Sequence, residues 1–324
     1  MNVQLGLTSP FPRSEALVAA TRDYDRGRTT ADALEELFVR TEGEVVDLER
    51  RLGFDQITAG YLRWADLFRP IAESWGGFTV GPVTRWFETN TFFRQPILHA
   101  PPERVPGALL RALPPPLQRA PAPAKAILPG PYTLTGLIDN RSGETDEALL
   151  HRFGRLLAEE VRELRGAGIA VFEFQEPLLA VRPPQRSIAE SVQEAYRSIE
   201  AARDGGTTIV WTAHGDGVGC AELLGRLAAS VVGLDLTETD PERLPTALER
   251  RALGLGVLDP RTTLVEEAGD IVRIVRAVAD RLHPPAVYLG PGASLDLLPW
   301  EPATRKLHAL PAARQLLQGG GRPR

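Results

Sequence analysis

His214, Gly215 and Asp216 close the apolar run T-I-V-W-T-A-H, residues 208–214, and Glu238 follows the run V-V-G-L-D-L, residues 231–236. One imidazole nitrogen and two carboxylates could coordinate a cation. Without thiolates, that set suits a harder ion than a structural zinc. The plainer reading is a histidine hydrogen-bonded to a neighbouring carboxylate, and no bound metal is expected. Glu176, just ahead of Pro177, has the chemistry of a general base; a carboxylate in that place also anchors loops through backbone N–H groups. Arg13 could neutralise a carboxylate or phosphate, or serve in a surface salt bridge. The lone cysteine, Cys220, excludes an intrachain disulfide and a Cys-rich zinc site, and reads as a small buried filler.

A second feature is the stretch V-T-R-W-F-E-T-N-T-F-F-R-Q-P, residues 83–96. Trp86, Phe87, Phe92 and Phe93 alternate there with Arg85, Glu88, Asn90 and Arg94. A core segment would carry fewer polar groups and a solvated loop fewer rings. The pattern describes the lip of a binding cleft, or a hairpin clamped onto another surface.

These residues need a scaffold, and short apolar runs alternating with helical patterns supply one. The runs lie at 4–8, 55–60, 126–131, 170–177, 208–214, 231–236, 253–259 and 286–292. Helical patterns cover Ser14 towards Arg51, 62–75, 144–167, 186–203, 217–228, 263–282 and 301–318, with Ser14 placed to cap the first. A proline-rich interval including P-P-P-L, 114–117, reads as a loop or a broken helix pair. Apolar strands covered on both faces imply a parallel sheet, and eight of them a single (β/α)₈ TIM barrel with the aromatic hairpin inserted after strand two. An open doubly wound sheet is the alternative, but no G-x-G-x-x-G follows the first run. The barrel is expected over residues 1–317, with 318–324 a disordered tail.

Active sites of such barrels gather at the strand C-termini. The residues just past the runs are Arg13 and Ser14, Tyr61 and Arg63, G-P-Y-T at 130–133, Gln175 and Glu176, His214 and Asp216, Glu238, Asp259 and Arg261, and P-G-A-S-L-D at 291–296.

The chain has 324 residues, 43% of them apolar and 24% charged, with a net charge of −5. That balance makes no electrostatic case for nucleic acid or an anionic membrane. There is no long apolar run to cross a bilayer and no secretion signal at the N-terminus, so a cytoplasmic setting is expected.

The aromatic segment, read with the strand ends, resembles the cobalamin-independent methionine synthases, closest to their N-terminal half. The matching stretches are F-P-R-S-E-A-L at 11–17, T-R-W-F-E-T-N-T-F-F-R-Q-P at 84–96, G-P-Y-T at 130–133, F-E-F-Q-E-P-L-L at 172–179, V-G-L-D-L at 232–236, V-L-D-P-R-T-T at 257–263 and G-P-G-A-S-L-D-L-L-P at 290–299. The resemblance implies one of two related barrels. In that family the C-terminal barrel holds zinc through a His, two Cys and a Glu and methylates homocysteine, whereas the N-terminal barrel lacks the metal and helps bind the tail of methyltetrahydrofolate polyglutamate. Carried over by position, His214 and Glu238 match the zinc-binding His and Glu. Asp216 and Ala293 stand where the two Cys would be. Gln175 and Tyr61 replace the Asp and Glu that hold the amino acid's ammonium group.

The resemblance therefore implies a partner half. It would pair with a separate catalytic barrel and bind the folate tail through Arg13, Arg63, Arg85 and Arg94, with Trp86 and Asn90 contributing from the hairpin. One alternative is a stand-alone one-carbon transferase centred on Glu176, His214, Asp216 and Glu238. The other is a small-molecule binding protein without catalysis.

Overall fold

The computed structural model describes residues 1–8, 10–119 and 123–319. Its strands are β1 (Asn2–Leu5), β2 (Gly76–Arg85), β3 (Phe92–Glu103), β4 (Lys125–Pro129), β5 (Asp139–Asn140), β6 (Val171–Gln175), β7 (Thr207–Trp211), β8 (Val231–Asp235), β9 (Ala252–Leu258) and β10 (Ala286–Pro291). Seven form one parallel sheet in the order β1-β10-β9-β8-β7-β6-β4. β2 and β3 make a long antiparallel hairpin, and β3 pairs in parallel with β5.

The helices are α1 (Glu15–Asp25), α2 (Ala31–Arg51), α3 (Arg69–Ser74), α4 (Ala108–Ala112), α5 (Pro131–Leu137), α6 (Asp146–Gly166), α7 (Pro177–Val181), α8 (Arg186–Ala202), α9 (Val218–Arg226), α10 (Ala268–Leu282), α11 (Trp300–Leu307) and α12 (Ala309–Gln318). None is long and apolar enough to cross a membrane.

Strand alternation divides the interior in two. Phe172, Phe174, Val210, Val232, Leu253 and Leu255 face outward into the main core beneath the helices. Val171, Ile209, Trp211 and Val231 point the other way and form a second cluster inside the curl of the sheet. Trp211 dominates that cluster. Its Nε1 donates to the Gly292 carbonyl at 3.0 Å. The strands beside it carry glycine at 233 and 254, because a Cβ at either would lie 2.3 or 2.4 Å from the indole.

The run at 55–60 is not a full strand. It contributes one parallel bridge, Ile57 with Ala124. The buried Glu49 carboxylate diverts the donors that a ladder would need, accepting from the N–H groups of Thr58 (3.0 Å) and Ala59 (3.2 Å) and from the Thr58 hydroxyl (2.7 Å). The chain then turns through Ala59, Gly60 and Tyr61, all at positive φ. Tyr61 completes the edge with its side chain, accepting from Ile127 N–H at 2.8 Å and donating to the Lys125 carbonyl at 3.1 Å.

Other boundaries shift for local reasons. The pattern from Ser14 to Arg51 is two helices: the chain turns at Gly27, with φ of 67°, and Thr30 caps a new start by accepting from Ala33 N–H. The helix expected at 62–75 is only α3, because Asp66 takes the N–H groups of Phe68 (3.0 Å) and Arg69 (2.8 Å) and begins it late. The pattern at 301–318 breaks at His308 into α11 and α12. Pro311 has no N–H to extend the earlier helix. The proline-rich interval carries α4 and a 3₁₀ turn, Pro115–Arg119, as a broken helix pair. The expected disordered tail falls mostly at 320–324, outside the described residues.

Candidate functional site

The hairpin β2–β3 lies across the C-terminal ends of the central strands and is held there by its rings. Trp86 packs against Phe93 (5.4 Å between ring centroids), Phe68 (5.8 Å) and Phe87 (4.8 Å). Asp66 fastens the hairpin to α3, because the carboxylate that starts the helix also accepts from Arg94 N–H at 3.2 Å. Phe93 is 5% exposed and Phe92 54%, so the two adjacent rings serve opposite faces, core and solvent.

Between hairpin and strand ends lies a pocket of about 90 Å³. Trp86 and Phe93 form one wall, Gln175 and His214 come from the strand ends, and Ser294 and Asp296 come from the loop after β10. Trp86 Nε1 donates to His214 Nε2 at 3.2 Å, and the Phe87 ring stacks on the imidazole at 5.4 Å. His214 sits at φ 62°. Burial, with Arg261 adding to it, pushes its pKa down to about 4, so the ring is neutral at pH 7. With Nε2 accepting, the proton resides on Nδ1.

The structure thus brings Trp86, Gln175 and His214 together and places the other candidates elsewhere. Glu176 is fully buried against α5 and α8, where it accepts from the N–H groups of Tyr132 (3.0 Å) and Thr133 (2.7 Å) and from the Tyr196 hydroxyl (3.0 Å). It anchors the start of α5, the loop-holding alternative to a base. Asp216 pairs with Arg243 at 2.8 Å and accepts from Val218 N–H. Glu238 pairs with Arg261, which also binds Asp259. His214 is therefore bonded to an indole rather than to a carboxylate, and no three His, Cys, Asp or Glu side chains among the described residues are grouped to hold a metal ion.

The arginines separate in the same way. Arg13 Nε donates to the Leu62 carbonyl at 2.7 Å, and its guanidinium lies over the Phe38 ring. Arg63 covers the same ring and binds Glu42 and Glu35 of α2. Ser14 caps α1, and Tyr61 is 1% exposed at the sheet edge. Arg85 and Asn90 are exposed on the hairpin. Arg94 is exposed too, reaching the Gly81 carbonyl at 3.4 Å. Sequence reasoning missed Trp64 and Asp66 as pocket residues, whereas Phe93 belongs to the aromatic stretch it read as the lip of a cleft. The stretch Y-L-R-W-A-D, 61–66, offered ring and carboxylate together, but read as helix it gave no reason to look past Arg63.

Three buried carboxyls frame this half of the molecule. Burial pushes Glu42, Glu49 and Glu176 from 4.5 up to about 7, against the opposing pull of Arg63 on the first and of hydrogen-bond donors on the others. The folded chain therefore holds more protons than the unfolded chain between these values. This contribution to stability is complete below pH 4.5 and is lost as pH rises through about 7. Each group contributes at most about 3 kcal/mol. His214, with its pKa lowered from 6.5 to about 4, acts in the opposite direction on the acid side, one group against three. The melting temperature is expected to be higher at pH 5.5 than at pH 8. A flat or rising profile would mean that the donors keep these carboxyls ionised.

Residues 77–283 match the family model described as cobalamin-independent synthase, N-terminal domain. The chain is 23% identical over 309 residues to a methionine synthase of Sulfolobus acidocaldarius, covering 92% of this chain and 87% of that protein. It is 22% identical over 319 residues to a 5-methyltetrahydropteroyltriglutamate–homocysteine methyltransferase of Corynebacterium efficiens, covering 94% of this chain but 42% of that one. The chain thus spans less than half of that longer relative. Among solved structures, the B12-independent methionine synthase of Shewanella sp. W3-18-1, in complex with selenomethionine, superposes with a TM-score of 0.79 at 16% identity, covering 98% of this chain and 97% of that one. At that identity the likeness concerns the fold.

Proposed function

The chain belongs to the family of the cobalamin-independent synthase N-terminal domain, and from that premise we propose that it is a ligand-binding barrel of methionine biosynthesis working beside a separate zinc-bearing catalytic barrel in the cytoplasm. The observation that carries this reading is the hydrogen bond from Trp86 Nε1 to His214 Nε2. The position matching the family's zinc-binding imidazole spends its acceptor nitrogen on the hairpin. The other matching positions do not fit zinc either. Asp216 and Glu238 are committed to arginines, and Ala293 has no donor atom. Cys220 is buried, and its thiol is pushed up to about 12 by burial, so no thiolate is at hand. No step through zinc is therefore assigned to this chain.

In this reading residues 1–317 form one closed (β/α)₈ barrel, with 55–57 as its second strand, completing the eight, and β2–β3 as the insertion after it. Asp55 N–H donates to the Leu5 carbonyl and Lys125 N–H to the Ile57 carbonyl, which supports closure on both sides. Arg13 and Arg63 are occupied internally, so an anionic folate tail would meet Arg85 and Arg94, beside the exposed Val83 and Phe92. The same exposed face is the candidate contact with the catalytic barrel.

One observation favours a second reading, a stand-alone transferase: the Sulfolobus methionine synthase aligns over 87% of its own length. A growth test in a strain lacking methionine synthase separates the two. The first reading expects no growth from this gene alone and growth once a candidate catalytic half is supplied. Growth from the gene alone would overturn it.

A further inference from the structure

Directly beneath the pocket lies an ion pair that the proposed function does not use. Lys125 and Glu173, 1% and 0% exposed, face each other inside the curl of the sheet with Nζ 2.8 Å from Oε2. Two charges in a barrel interior carry a desolvation cost that an apolar pair of the same volume avoids, so packing alone gives no reason for them. Their neighbours do. Glu173 and Gln175 are alternate residues of β6 and share its inner face. Gln175 Nε2 donates to Glu173 Oε1 at 2.6 Å and also to the Thr8 carbonyl. Lys125 in turn donates to the Leu7 carbonyl, one residue before Thr8.

This arrangement fixes which way the Gln175 amide points. A carboxylate oxygen and a peptide carbonyl are acceptors only, so the group facing them must be the amide nitrogen, and both of its hydrogens are taken. Oε1 has no hydrogen-bond donor among the described residues, and Gln175 lines the pocket. We propose that the buried Lys125–Glu173 pair is a positioning device: it locks the Gln175 amide with its nitrogen into the barrel and its oxygen towards the pocket, so that the pocket floor receives ligands through an N–H donor. Burial pushes the Glu173 carboxyl up and Lys125 opposes that shift in favour of the charged form; Glu173 holds the amide nitrogen, and the amide oxygen meets the ligand. A carboxylate presented at this point would find acceptors only. The ligand class rests on the reading that the mouth pocket binds a small molecule; the positioning does not.

The test uses the full chain. In the wild-type protein both side-chain amide protons of Gln175, assigned by their loss in Gln175→Leu, are expected downfield and slow to exchange. Glu173→Gln keeps the shape but replaces the acceptor with an ambivalent amide, and should shift and deprotect both signals. Should that variant not fold, Lys125→Met is expected to do the same by letting Glu173 take up a proton. Binding is read by calorimetry with L-methionine and with 3-(methylsulfanyl)propanoate, which lacks the amine. The wild type should prefer the amine-bearing probe, and Glu173→Gln should reduce that preference about tenfold, the worth of one hydrogen bond. If the amide signals are unchanged in the variants, the positioning proposal is overturned, whatever happens to the melting temperature. If the wild type binds neither probe, the pocket reading and the ligand class fall, while the amide signals still decide the positioning.

Discussion

Trp211→Ala is expected to destabilise the protein by about 3–5 kcal/mol, the range for truncating a buried large aromatic. The indole is 1% exposed and fills the interior of the sheet. The usual relief after truncation is inward collapse of neighbouring side chains, but here the adjoining strands present Gly233 and Gly254, which have none. The cavity therefore stays open, and the Gly292 carbonyl loses its donor. The expected drop in melting temperature is on the order of 10 °C. A loss below about 0.5 kcal/mol, within the scatter of surface substitutions, would show that the strands close over the space. Trp211 also lies alongside Gln175 in the register of β6 and β7, so the variant should loosen the pocket floor as well.

Trp86→Ala is the second large expectation, and its main effect is on affinity. Trp86 is only half-buried, but it touches Phe68, Phe87 and Phe93 and holds His214 by its N–H. Truncating an aromatic anchor at a binding surface costs about 2 kcal/mol or more in affinity, roughly 30-fold. That loss should appear with 5-methyltetrahydrofolate triglutamate as the probe, per folded molecule, and exceed the loss in folding stability. Trp86→Phe separates the two contributions: it keeps most of the packing but frees His214 Nε2. If Trp86→Ala lowers the melting temperature and leaves affinity per folded molecule unchanged, the segment 83–96 is core and nothing more.

Most elements of the sheet were legible from the chain because burial on both faces leaves a clear mark. The runs ending near Pro129, Gln175, Trp211, Asp235, Leu258 and Pro291 all became parallel strands. Where the reading failed, a side chain had taken over the work of the backbone. Glu49 drew the donors of 58–59 out of a ladder, Tyr61 paired with β4 through its hydroxyl, and Asp66 delayed α3. The apolar pattern that reveals secondary structure records none of these substitutions, because a carboxylate in a helix such as α2 looks the same whether it faces water or a distant N–H.

The sequence by itself determined the family, the alternation of strands and helices, and the lack of thiolates at 216 and 293, where Asp and Ala stand. These are properties of residue identity and order. The tertiary structure alone decided which polar groups remain available to a ligand. His214, Glu176, Asp216, Glu238, Arg13 and Arg63 all looked available for chemistry, and each is engaged by a partner that lies between 21 and 128 residues away along the chain. Hydrogen bonds and ion pairs saturate, and the partner that saturates a group is set by three-dimensional proximity. Composition and spacing can nominate a reactive side chain, but only the folded neighbourhood shows whether it is free.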